Sequence, residues 1–270
     1  MTKLRLGVIV PLEGGSKGEL KKVKDLDLPT CQVSCWHHEL FTSETASDLK
    51  LAAQESGIEI TTIWTGLPGR YVWNFVEGPE TIGLVPLETR EMRLKALRKG
   101  SDFARMVGVN SITTHVGFIP ENPKDQLYVS LIEVLEQVAK FCADNEQSFW
   151  FETGQETPIT LLRTIEDIGT QNLGINLDPA NLILYGKANP VDALDVFGKY
   201  VRGVHAKDGE YSTNGRELGK EKRLGEGKVN FPLLIPKLKS FGFQGALTIE
   251  REISGPQQID DIKRAKAILE

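Results

Sequence analysis

Residues 125–152 read DQLYVSLIEVLEQVAKFCADNEQSFWFE. Leu127, Leu131, Val134, Leu135, Val138 and Cys142 recur at i+3/i+4 steps, which draws one apolar stripe along a helix over 125–143. From Ser148 the pattern changes to a short β-type run, and that run closes on a carboxylate, Glu152. A helix feeding a strand is half of a repeating unit, and the unit recurs outward in both directions. Strands are expected at 5–10, 31–36, 59–64, 111–115, 148–152, 174–178, 202–205 and 246–250, eight in all. Helix-type stretches lie between them; Phe231, Leu234, Ile235 and Leu238 form another apolar stripe. Asn189-Pro190, Phe241-Gly242 and Gly255-Pro256 punctuate element ends.

Eight strand–helix units in 270 residues match the size of a (β/α)8 TIM barrel, about 250 residues. The expectation is therefore an α/β chain with one barrel domain over 1–270. The rival is an open doubly wound sheet, which wants a G-x-G-x-x-G turn after an early strand. Glu13-Gly14-Gly15-Ser16-Lys17-Gly18 follows the first strand without that spacing. Two connections are long: 65–85, which holds Tyr71, Trp73 and Phe75, and 207–229, rich in glycine and charge. Long structured loops in a compact domain usually serve as lids or binding segments.

Composition narrows the function classes. The chain is 40% hydrophobic and 26% charged, with net charge −5 and pI near 5.6. That is globular composition, and its acidity argues against a nucleic-acid partner. Three cysteines are an odd count, which favours a reducing compartment. Cys31 and Cys35 share one apolar run that reads as a strand, which speaks against metal ligation by the pair. Residues 6–12 are too short for a signal segment, and no run approaches the ~20 apolar residues of a membrane span. A soluble, cytoplasmic protein acting on a small molecule is expected, with no membrane partner and room for a homo-oligomer.

The chemistry gathers at the strand ends. In a barrel, the active site forms at the C-terminal face, where loops from several strands converge. Strands four to eight end in His115, Glu152, Asp178, His205 and Glu250. Alternation along each strand supports a common inward phase: Glu152 shares its face with Trp150, Asp178 with Asn176, Glu250 with Thr248 and His115 with Thr113. Phe151, Leu177, Val204 and Ile249 then face the helices. Glu152, Asp178 and His205 are each about one βα unit apart, and Glu250 follows after one unit plus a long loop. Four ligands from neighbouring strands can thus converge on one divalent ion. Three carboxylates and one imidazole suit Mn²⁺, Mg²⁺ or Co²⁺, with Zn²⁺ an alternative. Two octahedral positions would stay open for vicinal oxygens of a substrate.

At these residues the sequence resembles a known family, the xylose-isomerase-like barrels, in the sugar phosphate isomerase/epimerase branch. The motifs are Phe151-Glu152-Thr153-Gly154, Asn176-Leu177-Asp178-Pro179-Ala180-Asn181, Val204-His205-Ala206-Lys207-Asp208, the run 224–231 (LGEGKVNF) and Thr248-Ile249-Glu250. The resemblance implies that these Glu, Asp, His and Glu residues bind Mn²⁺ or a similar ion, and that Glu152 and Glu250 are acid/base groups on opposite faces of a substrate carbon. Proton removal α to a carbonyl leaves an enediolate. Returning the proton from the other face epimerises the centre, and returning it to the neighbouring carbon interconverts aldose and ketose. Two departures stand out. Asn181 occupies the place where ketose 3-epimerases of the family usually carry a histidine, and Tyr211 stands near their arginine after the ligand histidine.

Further substrate-binding candidates are His115 at the rim, Trp64 and Trp36 as a sugar-stacking wall, Lys207 as an offset to the carboxylate charge, and Arg223 in the long loop. His37 and His38 adjoin the same rim. Within the fold, a dehydratase of an inosose-like polyol ketone would use the same metal and enolate logic. An endonuclease-IV-like nuclease needs more histidines than the four present. A silent sugar-binding barrel would not need both glutamates.

Overall fold

The structure, a computed structural model, describes residues 3–13 and 15–270, with the backbone alone at 16 and 18. Gly14 of the glycine-rich stretch 13–18 lies outside the described residues. The strands are β1 (Arg5–Pro11), β2 (Thr30–Cys35), β3 (Glu59–Thr65), β4 (Ser111–Thr114), β5 (Ser148–Glu152), β6 (Leu173–Leu177), β7 (Val201–Ala206), β8 (Asp208–Glu210), β9 (Lys220–Lys222) and β10 (Ala246–Ile249). Eight of them close a barrel in the order β1-β10-β7-β6-β5-β4-β3-β2, every pair parallel. The expected (β/α)8 TIM barrel is the fold. β8 and β9 pair antiparallel as a small hairpin beside the barrel.

The helices are α1 (Ser16–Asp25), α2 (Ser43–Ser56), α3 (Gly78–Thr81), α4 (Leu87–Val107), α5 (Gln126–Asp144), α6 (Pro158–Ile168), α7 (Pro179–Leu184), α8 (Pro190–Phe197), α9 (Phe231–Ser240) and α10 (Pro256–Leu269). Their starts follow local chemistry. The side chains of Thr42, Asp125, Thr157, Asn189 and Asn230 accept N–H bonds at the N-termini of α2, α5, α6, α8 and α9. On α5 the stripe of the quoted stretch is inside: Leu131, Leu135, Val138 and Cys142 are buried, whereas Leu127 is exposed. No helix among the described residues is long and apolar enough to cross a membrane. Cys31, Cys35 and Cys142 are free and buried, the first two within β2.

The core has two layers. Phe149, Phe151, Ile175, Leu177, Val204, Leu247 and Ile249 are buried in the hydrophobic cluster, as the alternation requires. The other phase places polar groups inside the barrel. Gln32 donates to Asn176 Oδ1 at 2.9 Å, and Trp150 packs between Gly174 and Gly203. A Cβ at Gly203 would lie 2.5 Å from Asn176 Oδ1 and 3.2 Å from the Trp150 ring, so only glycine admits this approach. Gly203→Ala should therefore cost about 1–3 kcal/mol by overpacking and lower the thermal unfolding midpoint. An unchanged midpoint would mean that the barrel interior has slack at this layer.

Candidate metal centre

Four strands deliver the acidic and imidazole groups to one point. Glu152 is the last residue of β5, His205 lies in β7, and Asp178 and Glu250 stand one residue past β6 and β10. The strands expected at 174–178 and 246–250 thus end one residue earlier. Asp178 leaves the ladder because it caps α7, its Oδ1 accepting the Asn181 N–H at 2.9 Å. His115 and Trp36 also fall just beyond β4 and β2.

The donor atoms of Glu152, Asp178, His205 and Glu250 all lie within 4.8 Å of one another, so the group could hold a metal ion. Metal–oxygen bonds of about 2.1 Å place octahedral neighbours about 3.0 Å apart and opposite donors about 4.2 Å apart. His205 Nδ1 is 2.9 Å from Glu250 Oε2 and 3.1 Å from Glu152 Oε1, the spacing of such an octahedral edge. Yet Nδ1, Glu250 Oε2 and Asp178 Oδ2 are buried without a hydrogen bond. Buried polar atoms crowded together and unsatisfied are what a site shaped around a cation presents. The residues fit a divalent ion.

Neighbouring groups set the orientation of the donors. His205 Nε2 lies 2.8 Å from Gln32 Oε1 and 3.0 Å from Asn176 Nδ2. Glu152 and Glu250 raise the His205 pKa well above its ordinary value, against burial; a bound cation would displace the Nδ1 proton, and Gln32 Oε1 can then accept from the one left on Nε2. Trp64 donates its indole N–H to Glu152 Oε2, which fixes that carboxylate. Lys207 Nζ sits 3.3 Å from Asp178 Oδ2, 3.7 Å from Glu250 Oε2 and 2.5 Å from Glu252 Oε1.

Electrostatics follow from burial and these neighbours. Burial opposes ionisation of Glu250, but Lys207 and His205 overcome it and hold its carboxyl below the usual range. Glu152 is likewise held low, against burial, by His205 and His115. For Asp178 burial wins over Lys207, and the carboxyl is pushed up to about 7. Burial also lowers the His115 pKa, which favours the neutral ring beside Glu152, 3.6 Å from Oε1. A bound dication would supply positive charge to three clustered carboxylates that otherwise face only Lys207 and His205.

Above the donors opens a cavity of about 360 Å³, lined by Trp36, Trp64, His115, Glu152 and Glu250 among others. The expected residues Trp36, Trp64 and His115 meet there, and Lys207 lies beneath, among the donors. Arg223 does not line it: its Nε pairs with Asp261 at 2.8 Å, and Asp261 also accepts from Arg251. His37 faces Glu39, and His38 Nε2 lies 2.6 Å from Gly66 O; neither lines the cavity.

Trp73, from the aromatic connection 65–85, also lines it, as do Tyr185, Leu184, Leu218 and Glu252, which sequence reasoning did not single out. Trp73 and Leu218 come from the two long connections, which meet across the barrel. Asn74 bridges Glu217, and the Phe75 N–H donates to Arg216 O at 3.1 Å. Arg93, buried on α4, ties 65–85 down by donating to the carbonyls of Pro68, Arg70, Thr81 and Gly83.

Comparison with known proteins agrees with this architecture. A crystal structure of a xylose isomerase domain protein from Planctomyces limnophilus is 37% identical, superposes with a TM-score of 0.94, and is covered over 96% of its length by 99% of this chain. A D-tagatose 3-epimerase-like protein shares the fold at 21% identity and a TM-score of 0.73, with 98% of this chain and 96% of that one covered. An uncharacterized protein of Methanocaldococcus jannaschii is 29% identical over 192 residues, 67% of this chain and 62% of its own length. The family pattern of the xylose isomerase-like TIM barrel matches residues 20–270. The chain belongs to the xylose isomerase-like TIM barrel family.

Proposed function

We propose that the protein is a divalent-metal-dependent sugar isomerase or epimerase, with Glu152, Asp178, His205 and Glu250 as ligands and Glu152 and Glu250 as the acid/base pair. One observation carries the reading: two carboxylates, one buried and one partly buried, reach the same imidazole nitrogen from the ends of β5 and β10, at 3.1 and 2.9 Å, within a group of four donors that all lie within 4.8 Å of one another. The ion, when bound, supplies positive charge to vicinal substrate oxygens as an enediolate develops. The donor set suits Mn²⁺, Mg²⁺ or Co²⁺, with Zn²⁺ as an alternative, and the family resemblance is the reason to put Mn²⁺ first.

The protein's own groups do the rest. Glu250, held as a carboxylate by Lys207 and His205, takes the proton from one face of the carbon next to the carbonyl. Glu152, anchored through one oxygen by Trp64, serves the other face through its second oxygen. His115 reaches toward the same oxygen of Glu152 and can hold a substrate hydroxyl. Trp36 and Trp64 wall the cavity and exclude water. The test is solvent-deuterium incorporation into ketoses, their phosphates and inososes, followed by NMR with and without added metal. Metal-dependent exchange at one carbon is expected. A product that loses water would instead favour the dehydratase reading.

Two further outcomes are expected. Elemental analysis after reconstitution should give about one equivalent of metal per chain, reduced sharply in His205→Ala and Asp178→Ala. Undiminished metal in both variants would exclude this ligand set. Residues 65–85, which place Trp73 against the cavity, should also gain amide protection when a sugar substrate saturates the site. Equal exchange with and without sugar would mean that the segment does not close over it.

A further inference from the structure

Trp36, Trp64 and Trp73 line the cavity, and with Tyr71, which lines a small adjoining pocket, they form a chain of aromatic rings that closes on itself through His115. Trp64 meets Trp36 at 5.1 Å between ring centroids, Trp36 meets Tyr71 at 4.7 Å, and Tyr71 meets Trp73 at 5.9 Å. Trp73 and Trp64 each abut His115, at 5.4 and 5.8 Å. Trp64 is buried, but Trp36, Tyr71 and Trp73 remain 38%, 46% and 37% exposed. Trp36 and Trp73 stay open in the cavity lining, and Tyr71, packed against both, extends their exposed face outward; contiguous aromatic patches of this kind mark ligand surfaces.

The floor is different. Tyr185 and His115 line the cavity, and both the Tyr185 hydroxyl and His115 Nδ1 are buried without a hydrogen-bond partner. Those atoms suit the hydroxyls of a polyol. Charge settles what else the ligand carries. Among the described residues no lysine or arginine lines this cavity. Lys207 is engaged by Asp178, Glu250 and Glu252, and Arg93, behind the aromatic rings, spends its N–H groups on backbone carbonyls. Arg223 is paired with Asp261. Glu252 adds a further carboxylate to the lining. A phosphoryl group would find no arginine fork or free lysine here, and would meet negative charge instead.

We propose that the substrate is an uncharged glycoside-type sugar: the reacting polyol sits on the polar floor, and a second sugar ring attached to it stacks on the Trp36–Tyr71–Trp73 face. This deepens the sugar isomerase reading and rests on it for the identity of the reacting end. Sugar rings present flat C–H faces to aromatic side chains, so the outer ring supplies binding without any charged contact. Binding energy from that remote ring would hold the reacting carbon in place between the two glutamates.

The test is calorimetric titration of the Mn²⁺-loaded protein with fructose, fructose phosphates and four glucosyl-fructoses: turanose, maltulose, leucrose and isomaltulose. The last four differ only in which fructose hydroxyl carries the glucose. At least one should bind about tenfold tighter than fructose, the size of one good stacking contact, and the phosphates should bind no tighter than fructose. The affinity ratio of that glucosyl-fructose to fructose should collapse toward one in Tyr71→Ala and Trp36→Ala and persist in Tyr71→Phe, which keeps the ring. Tighter binding of a phosphate than of fructose, no glucosyl-fructose above fructose, or a ratio untouched in both alanine variants would each overturn the proposal. Deuterium exchange into the same sugars is read separately. A binding preference without metal-dependent exchange would remove the proton-transfer reading and leave the glycoside site, whereas exchange without the preference would do the reverse.

Discussion

Glu152→Gln and Glu250→Gln should each lower turnover by ~10²–10⁴-fold, the loss typical of a removed acid/base group, while keeping a measurable share of bound metal. Glutamine preserves shape and one oxygen donor, so the substitution separates proton transfer from ligation. The two variants should not fail alike. If the Trp64 indole N–H keeps the amide oxygen of Glu152→Gln, the NH2 group takes the place of the oxygen nearest His205 Nδ1 and cannot ligate, whereas the amide of Glu250→Gln can still turn its oxygen to that nitrogen's side. Metal retention should therefore be poorer in Glu152→Gln. In an epimerase, each variant should still exchange the substrate proton from one stereoisomer only, because one face keeps its base. Parental turnover in both metal-loaded variants would assign the chemistry to another group, and His115 is the nearest candidate, 3.6 Å from Glu152 Oε1.

The second large effect concerns stability. Glu156 is buried, 3% exposed, with Oε1 lacking a hydrogen-bond partner. Burial pushes its carboxyl up to about 7, against the pull of Lys187 and backbone N–H groups. The sign follows from linkage. A carboxyl with a raised folded-state pKa stabilises the fold while protonated in both states, and that contribution is lost as pH rises from its ordinary value near 4.5 through 7. At about 1.36 kcal/mol per pH unit the loss is about 3 kcal/mol. Glu156→Gln, neutral at every pH, should therefore match the parent near pH 4.5 and exceed it by about that amount above pH 7, read from denaturant midpoints. A parallel pH dependence in parent and variant would mean that Glu156 is not the group responsible.

Much of the barrel was legible because its signals are local. The α5 stripe and the β5 run need only the 3.6- and 2-residue periods of backbone geometry. The same two-residue period identified Glu152, Asp178, His205 and Glu250 as strand-end residues of one phase, and the barrel topology brings strands β5, β6, β7 and β10 side by side. What alternation does not carry is the last residue of a strand. Asp178 stops pairing because its side chain caps α7, and that choice depends on the Asn181 N–H three residues on.

The walls and the balance of charge belong to tertiary structure. Nothing near Arg223 in the chain announces Asp261, yet their 2.8 Å pair takes that arginine away from the cavity. Trp73 reaches the site because Asn74 bridges Glu217 in another long connection. The Trp64 indole finds Glu152 across 88 residues of chain. By itself the sequence determined the barrel, the phase of its strands and the gathering of Glu152, Asp178, His205 and Glu250 at neighbouring strand ends, because those follow from dihedral geometry within a few residues. Which loops close the mouth, which cations remain for a ligand, and how each donor is oriented were decided only in the folded chain, because each depends on partners that backbone periodicity does not encode.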